Sequence, residues 1–174
     1  MISQNTHWTA GRIRLALARH FDWFHNRMYP EWFIDGGVAD LVFVSKAGYV
    51  TEIEVKISVS DWKADQWKRK WDIERPHITR FFYAVPDTLV DSIPDNTPDF
   101  AGILSISAGR RTRDDVREIR AAMRRPSIKL TPAAQQKMFE SAYYRYWNRE
   151  IHRLHFEIFD RPKIREIQRK ARSE

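Results

Sequence analysis

The chain has 174 residues, of which 43% are hydrophobic, and carries a net charge of +7 with no cysteine. This length predicts a single domain with a substantial core. The absence of cysteine excludes disulfides and cysteine-ligated zinc or iron–sulfur sites. The excess of positive charge favours an anionic partner, nucleic acid first.

No apolar run in the sequence approaches the length of a transmembrane helix. The N-terminal residues also lack the apolar region of a secretory signal peptide. We therefore expect a cytoplasmic protein with no membrane partner.

The first predicted element is a helix over residues 9–24. Thr9 is a plausible N-cap, and Ile13, Leu17 and Phe21 recur at helical spacing on one face. A first strand is predicted to follow at residues 32–34.

Two strands are then predicted on either side of a turn at residues 45–48, after another turn at 35–37. The earlier strand, 39–44, is short and apolar, whereas the later one, 49–59, alternates. One face of the later strand carries Val50, Glu52, Glu54, Lys56 and Ser58, and the other carries Thr51, Ile53, Val55, Ile57 and Val59. A hairpin would bring Asp40 close to Glu54.

The predicted hairpin would bring together three charged residues that suit metal-dependent chemistry, Asp40, Glu54 and Lys56. Two carboxylates on adjacent strands can share Mg²⁺ or Mn²⁺, because hard divalent cations prefer oxygen ligands. Lys56 points the same way and could orient a water or neutralise a phosphate, which favours phosphodiester hydrolysis. The alternative is a solvated strand edge with cross-strand ion pairs. Asp40 argues against it, because a carboxylate within an apolar strand is costly unless it is paired or metal-bound.

A second helix is predicted to begin at Ser60 as its N-cap. Asp61 and Asp65 lie one turn apart on one face, either near a metal or on an ion-paired surface. The basic run that follows could meet phosphates, although such runs are often solvated faces. It consists of Lys68, Arg69 and Lys70.

Further strands are predicted at 80–85 and 102–107, separated by a loop at 87–99. A basic turn comes next, and its charged residues are Arg110, Arg111 and Arg113. The spacing of apolar residues in 116–123 favours a helix.

A long helix is predicted from an N-cap at Thr131, with Pro132 in its first turn. Its aromatic stripe fits core packing better than base stacking. The basic tail, 161–172, is either a helix that lies on nucleic acid or a frayed terminus.

The pattern Asp40…Glu54-Val55-Lys56 resembles the PD-(D/E)XK nuclease superfamily. Several further segments resemble its MmcB-like DNA-repair branch. They are Asp40-Leu41, Ser45-Lys46-Ala47-Gly48-Tyr49, Glu52 to Lys56, Ser58…Asp61-Trp62…Asp65, Arg80 to Pro86 and Ala101 to Leu104.

The resemblance implies an α/β fold with a restriction-endonuclease-like core. In this core an α-β-β-β-α-β succession forms a mixed central sheet flanked by helices, and a C-terminal helical extension follows. The whole chain, 1–174, would be one nuclease-like domain with a core at about 9–125 and an extension at 131–174. The resemblance also places a strand, not a helix, at 116–123.

The resemblance further implies a Mg²⁺- or Mn²⁺-dependent DNA nuclease in DNA repair or in phage or mobile-element DNA processing. Asp40 and Glu54 would ligate the metal with the carbonyl of Val55, and Lys56 would position the attacking water. Auxiliary roles would fall to Glu52, Ser58, Asp61 and Asp65. Positive charge, and not the resemblance, predicts contacts with DNA, including branched or single-stranded forms, for Lys68, Arg69, Lys70, Arg110, Arg111 and Arg113.

One departure from the family pattern leaves an alternative open. Many relatives carry a metal-site glutamate on the first helix, but no acid occurs near Ala10 or anywhere between Met1 and His20. The alternative is a non-catalytic nucleic-acid-binding protein on a decayed nuclease core. A homodimer, common among such nucleases, also stays open.

Overall fold

The computed structural model describes residues 7–66, 74–94, 97–109 and 113–171. The chain divides into two compact units, Met1–Leu130 and Thr131–Glu174. Within the described residues, no helix is both long enough and apolar enough to cross a membrane.

A mixed six-stranded sheet forms the centre of the first unit, and its spatial order follows the chain from β1 to β6. The strands are β1 (Arg27–Ile34), β2 (Gly37–Val44), β3 (Val50–Val55), β4 (Ile78–Pro86), β5 (Gly102–Ser107) and β6 (Asp115–Arg120). Neighbours pair in parallel from β3 to β5, and the outer pairs are antiparallel. Helices lie on both sides, so the predicted α/β fold is confirmed.

The first helix, α1 (Ala10–His20), covers one face of the sheet. The Thr9 hydroxyl accepts a hydrogen bond from the Arg12 N–H, which confirms the predicted N-cap. Ile13 and Leu17 are fully buried in a core cluster that also contains Ile53 and Val55 of β3. The face of β3 that carries odd-numbered residues is therefore the face under α1.

The first hairpin is longer than the sequence predicted, because β1 begins at Arg27 and not at residue 32. Pro30 fits within β1 because β1 is an edge strand, where proline removes no needed hydrogen bond. The turn predicted at residues 35–37 is confirmed. Asp35 and Gly36 have φ values of 46° and 79°, the left-handed pair that a tight hairpin turn requires.

The third strand is shorter than predicted, since β3 ends at Val55 and α2 (Val59–Gln66) begins soon afterwards. Ile57, expected on the core face, is 40% exposed. The cap is Ser58 and not Ser60: its hydroxyl accepts a hydrogen bond of 3.1 Å from the Asp61 N–H. This capping turns the chain out of the sheet before residue 59.

The second helix, α2, lies on the sheet face opposite α1. Its Trp62 is 3% exposed, and its ring centroid lies 4.6 Å from that of Tyr83. Tyr83 is the register partner of Glu54, whereas Val55 and Ala84 belong to the core cluster under α1. Both sheet faces are therefore covered.

The ambiguous segment at 116–123 is a strand, β6, over Asp115–Arg120. This outcome follows the family resemblance and not the helical spacing of its apolar residues. Ile119, which the helical pattern placed on an apolar face, is 49% exposed.

The second unit is helical, with α3 (Pro132–His155), a π-helical turn (Phe156–Asp160) and α4 (Arg161–Ala171). The Thr131 hydroxyl accepts from the Ala134 N–H, so the predicted cap is confirmed. The prediction of core packing for the aromatic stripe of α3 is wrong, because no residue of α3 is buried. Tyr143 and Trp147, for example, are 53% and 43% exposed.

An ion pair joins α1 to the segment before β6 and should make stability depend on pH. Arg12 donates from Nε and Nη2 to both oxygens of Asp114, at 2.7 and 2.6 Å. The hydrogen bond from Arg12 holds the pKa of the Asp114 carboxyl below its usual value, and the positive charge of Arg12 lowers it further. Such a carboxylate stabilises the fold above its unfolded pKa of about 3.9 and loses this contribution as the pH falls through its folded pKa.

We therefore expect Asp114→Asn to lower the melting temperature at pH 7 by up to roughly 2–4 °C. The gap between wild type and variant should narrow below about pH 4. Thermal melts from pH 3 to pH 8 test this, and a gap that stays constant across the series would show that the ion pair is not its source.

Candidate active site

Asp40 lies where β2 and β3 part. The antiparallel register between these strands ends with Leu41 opposite Ile53, so the next position along places Asp40 opposite Glu54. Beyond that point the Asp40 side chain replaces a backbone partner, because its Oδ2 accepts a hydrogen bond of 2.8 Å from the Val55 N–H. This bond fixes the carboxylate at the strand end, and Asp40 is only partly buried.

The neighbouring edge strand is irregular at the same level. Pro30 pairs with Leu41 and Trp32 with Ala39, which sets Glu31 opposite Asp40. Glu31 has a φ of 50°, in the left-handed region that is costly for a residue with a side chain. Backbone strain of this kind clusters at functional sites, and here it lies directly beside the candidate carboxylate.

Glu54 and Lys56 are almost fully buried, with exposures of 5% and 3%. The Lys56 Nζ lies 3.9 Å from Oε2 of Glu54. The Lys56 N–H donates to the carbonyl of Ala84, which fixes the lysine backbone one residue past the end of β3. The two charged groups therefore lie on the sheet face that α2 covers, largely shielded from solvent.

Glu52 has a structural partner that the sequence analysis missed. It is fully buried, and Nη1 of Arg75 lies 2.8 Å from its Oε1 and 2.6 Å from its Oε2. Nη2 of Arg75 also donates to the carbonyl of Ile34 at the end of β1. Arg75 thus ties β3 to the first hairpin. No periodic pattern could have indicated a partner 23 positions away.

The other residues predicted to be auxiliary belong to the connection between β3 and α2. Ser58 caps α2, and Oδ2 of Asp61 accepts a hydrogen bond of 3.3 Å from the Ile57 N–H. The side chain of Asp65 lies outside the described residues. The observed contacts of Ser58 and Asp61 therefore shape the turn that follows Lys56.

The predicted DNA-contacting residues fall mostly outside the described residues. Arg113 is described and exposed. The others, Lys68, Arg69, Lys70, Arg110 and Arg111, lie in the segments that the structure does not describe.

The site could supply a divalent metal with only a few protein ligands, all of them oxygen atoms. Among the described residues, no group of three histidine, aspartate or glutamate side chains is arranged to hold a metal ion. Ala10 stands at the start of α1, and the nearest acids downstream are paired, Asp22 with His25 and Glu31 with Arg14. The site instead offers Asp40, Glu54 and the carbonyl of Val55. This donor set fits Mg²⁺, which prefers oxygen and keeps several waters.

Comparison with solved structures supports the fold. A structure described as "SPO1766 protein of unknown function from Silicibacter pomeroyi" matches with a TM-score of 0.56 and 20% sequence identity. The match covers 89% of this chain and 94% of the other. Among curated proteins, none matches the sequence significantly.

Comparison with family models identifies the lineage. The model described as "DNA repair protein MmcB-like" matches residues 3–155, which is most of the chain. Its name implies an interaction with DNA, in agreement with the positive net charge. The chain belongs to the MmcB-like DNA repair protein family.

Proposed function

We propose that the protein is a Mg²⁺- or Mn²⁺-dependent DNA nuclease that hydrolyses phosphodiester bonds in DNA repair. One observation carries the proposal. Asp40 and Glu54 lie opposite each other where two strands part, and Lys56 lies 3.9 Å from Glu54. This arrangement joins hard oxygen donors and a cation on one sheet face.

When bound, the metal would supply Lewis acidity and stabilise the leaving oxygen. The chain's own residues would hold and orient the reacting groups. Oδ2 of Asp40 accepts a hydrogen bond from the Val55 N–H, which orients the carboxylate. Its Oδ1 would then ligate the metal. Glu54 and the carbonyl of Val55 would complete the set.

Lys56 would orient the attacking water and balance charge that develops on the phosphate. A buried ammonium is costly to desolvate unless it is compensated. Glu54 provides compensation at 3.9 Å, and the bond to Ala84 fixes the lysine backbone. A cation already oriented before the substrate arrives needs little reorganisation, which is the condition for electrostatic catalysis.

DNA binding would rely on basic residues outside the carboxylate site. Lys68, Arg69, Lys70, Arg110, Arg111 and Arg113 would neutralise backbone phosphates, which carry no sequence information. Branched or single-stranded DNA and a homodimer remain part of the proposal.

Metal binding should stabilise the folded protein. At a metal concentration of about 100 times Kd, binding adds about 2.7 kcal/mol of stability, or roughly 5–10 °C in melting temperature for a chain of this size. The double variant Asp40→Asn/Glu54→Gln should lose the shift. Differential scanning fluorimetry with millimolar Mg²⁺ or Mn²⁺ measures it.

A matched control removes two exposed carboxylates elsewhere, Asp91→Asn/Glu118→Gln. This control should keep the full shift, because its residues are not at the site. A wild type with no shift in either metal would rule out the two-carboxylate site.

The second candidate function is non-catalytic nucleic-acid binding. It is favoured by the absence, among described residues, of a third acidic or histidine ligand, and by the missing acid near Ala10. Under this alternative, the Glu54–Lys56 pair would be purely structural. DNA would then be bound without being cleaved in any metal.

A further inference from the structure

A pocket that combines apolar walls with two arginines lies on the sheet face under α1, away from the carboxylates. Its volume is about 220 Å³. The strands contribute Phe43, Thr51, Thr79 and Arg80, the turn after β2 contributes Ser45 and Tyr49, and Arg124 completes the wall. Phe43 also packs on Phe21 just beyond α1, at 5.1 Å between ring centroids. The pocket is therefore anchored to the core.

The wall that carries Arg124 is held by backbone hydrogen bonds along the irregular segment between β6 and α3. The Arg125 N–H donates to the carbonyl of Thr79, and the Leu130 N–H donates to that of Gly48. This fixes Arg124 and Lys129 against the ring of Tyr49, at 4.7 and 4.6 Å from its centroid. The positions of these cations are thus set by the fold.

The charged side chains in and beside the pocket are all positive. No acidic residue lines it, and Arg80, Arg124 and Lys129 form no ion pair with a carboxylate of the described chain. The hydrogen bond from Lys129 lowers the pKa of the Tyr49 phenol, and the charges of Lys129 and Arg124 lower it further. Three cations close together repel one another, so an anion between them would relieve that repulsion.

We propose that this pocket binds a phosphate group. Arg80 and Arg124 would donate charge-assisted hydrogen bonds, which suit the planar guanidinium, and Lys129 would add a third charge at the rim. The hydroxyls of Ser45 and Thr51 supply neutral donors. The volume lies below the range of roughly 300–1,000 Å³ typical of drug-sized ligands, so it suits a phosphate or a phosphorylated sugar.

The phosphate site is separate from the proposed nuclease site. Thr51 and Phe43 share the face of Leu41 and Ile53, whereas Asp40 and Glu54 lie on the other face. The pocket has no carboxylate or histidine among its lining residues, so it offers no anionic or imidazole ligand for a divalent metal. The proposal therefore holds or fails independently of catalysis. Its phosphate could come from a free nucleotide, from the 5′ end of a DNA strand or from an internal diester.

Isothermal titration calorimetry in a chelator, without divalent metal, tests the proposal. The probes are inorganic phosphate, a deoxynucleoside 5′-monophosphate, and one oligonucleotide with either a 5′-phosphate or a 5′-hydroxyl. Arg124→Gln should weaken phosphate binding by about tenfold or more, because it removes a charge-assisted donor. Arg117→Gln, the same change at an exposed position on β6, should bind like wild type.

Comparison of the two oligonucleotides also shows which kind of phosphate the pocket binds. Tighter binding of the 5′-phosphorylated strand indicates a terminal monoester, and equal binding of the two strands, weakened alike in Arg124→Gln, indicates an internal diester. Arg124 is exposed, so the variant should keep the wild-type melting temperature, which excludes misfolding as the cause. Equal affinity of wild type and Arg124→Gln for every probe, or no binding at millimolar phosphate, would overturn the proposal.

Discussion

Lys56→Ala is expected to lower the rate of DNA cleavage at saturating DNA by about 10²- to 10³-fold while leaving DNA affinity nearly unchanged. The side chain is 3% exposed and lies beside Glu54, so it adds little to the surface on which DNA docks. Its charge matters when negative charge develops in the transition state. An interaction made only there changes kcat and not binding.

Single-turnover cleavage and fluorescence anisotropy measure the two quantities on the same substrate. Lys63→Ala is the matched control, because Lys63 is an exposed lysine on α2. Lys56→Met preserves the volume and tests whether packing alone matters. Equal losses of rate and affinity in Lys56→Ala would instead make Lys56 a phosphate clamp.

Arg75→Ala should be the most destabilising single substitution that the structure indicates. It leaves Glu52 fully buried without the guanidinium that contacts both of its oxygens. Removing one partner of a buried ion pair typically costs about 3–5 kcal/mol, a large share of the stability of a domain. Urea denaturation at pH 7 measures the change in the free energy of unfolding.

Two further variants separate the buried charge from lost packing. Glu52→Gln/Arg75→Met removes both charges with similar volumes, and should recover much of the loss. Arg14→Ala breaks the more exposed pair with Glu31 and should cost less than about 1 kcal/mol. If Arg75→Ala were as mild as Arg14→Ala, the buried pair would not secure the first hairpin.

The placement of Asp40 beside Glu54 could be predicted because it depends on local geometry. The turn at 45–48 sets the register of β2 and β3, which makes Asp40 the cross-strand neighbour of Glu54. The two-residue alternation along β3 then places Glu54 and Lys56 on the same sheet face. The strand β6 could be predicted only from the family resemblance. Its own apolar spacing is helical, and pairing with β5 prevails over that local pattern.

The features that the sequence did not reveal depend on contacts between distant segments. Arg75 precedes a proline in a polar stretch, and nothing local relates it to Glu52. The burial of Trp62 depends on where the parallel crossover sets Tyr83. The choice of Ser58 over Ser60 as the cap decides where β3 ends, and two serines so close together look alike in sequence.

Cleavage assays on wild type and Asp40→Asn/Glu54→Gln test the central claim most directly. Purified protein is incubated with duplex, branched and single-stranded DNA, with Mg²⁺ or Mn²⁺ and with a chelator. We expect wild type to cut at least one of these DNAs only when metal is present, and the double variant to bind that DNA without cutting it. Binding without cleavage by wild type in either metal, or undiminished cleavage by the double variant, would contradict the assignment of Asp40, Glu54 and Lys56 as a nuclease site.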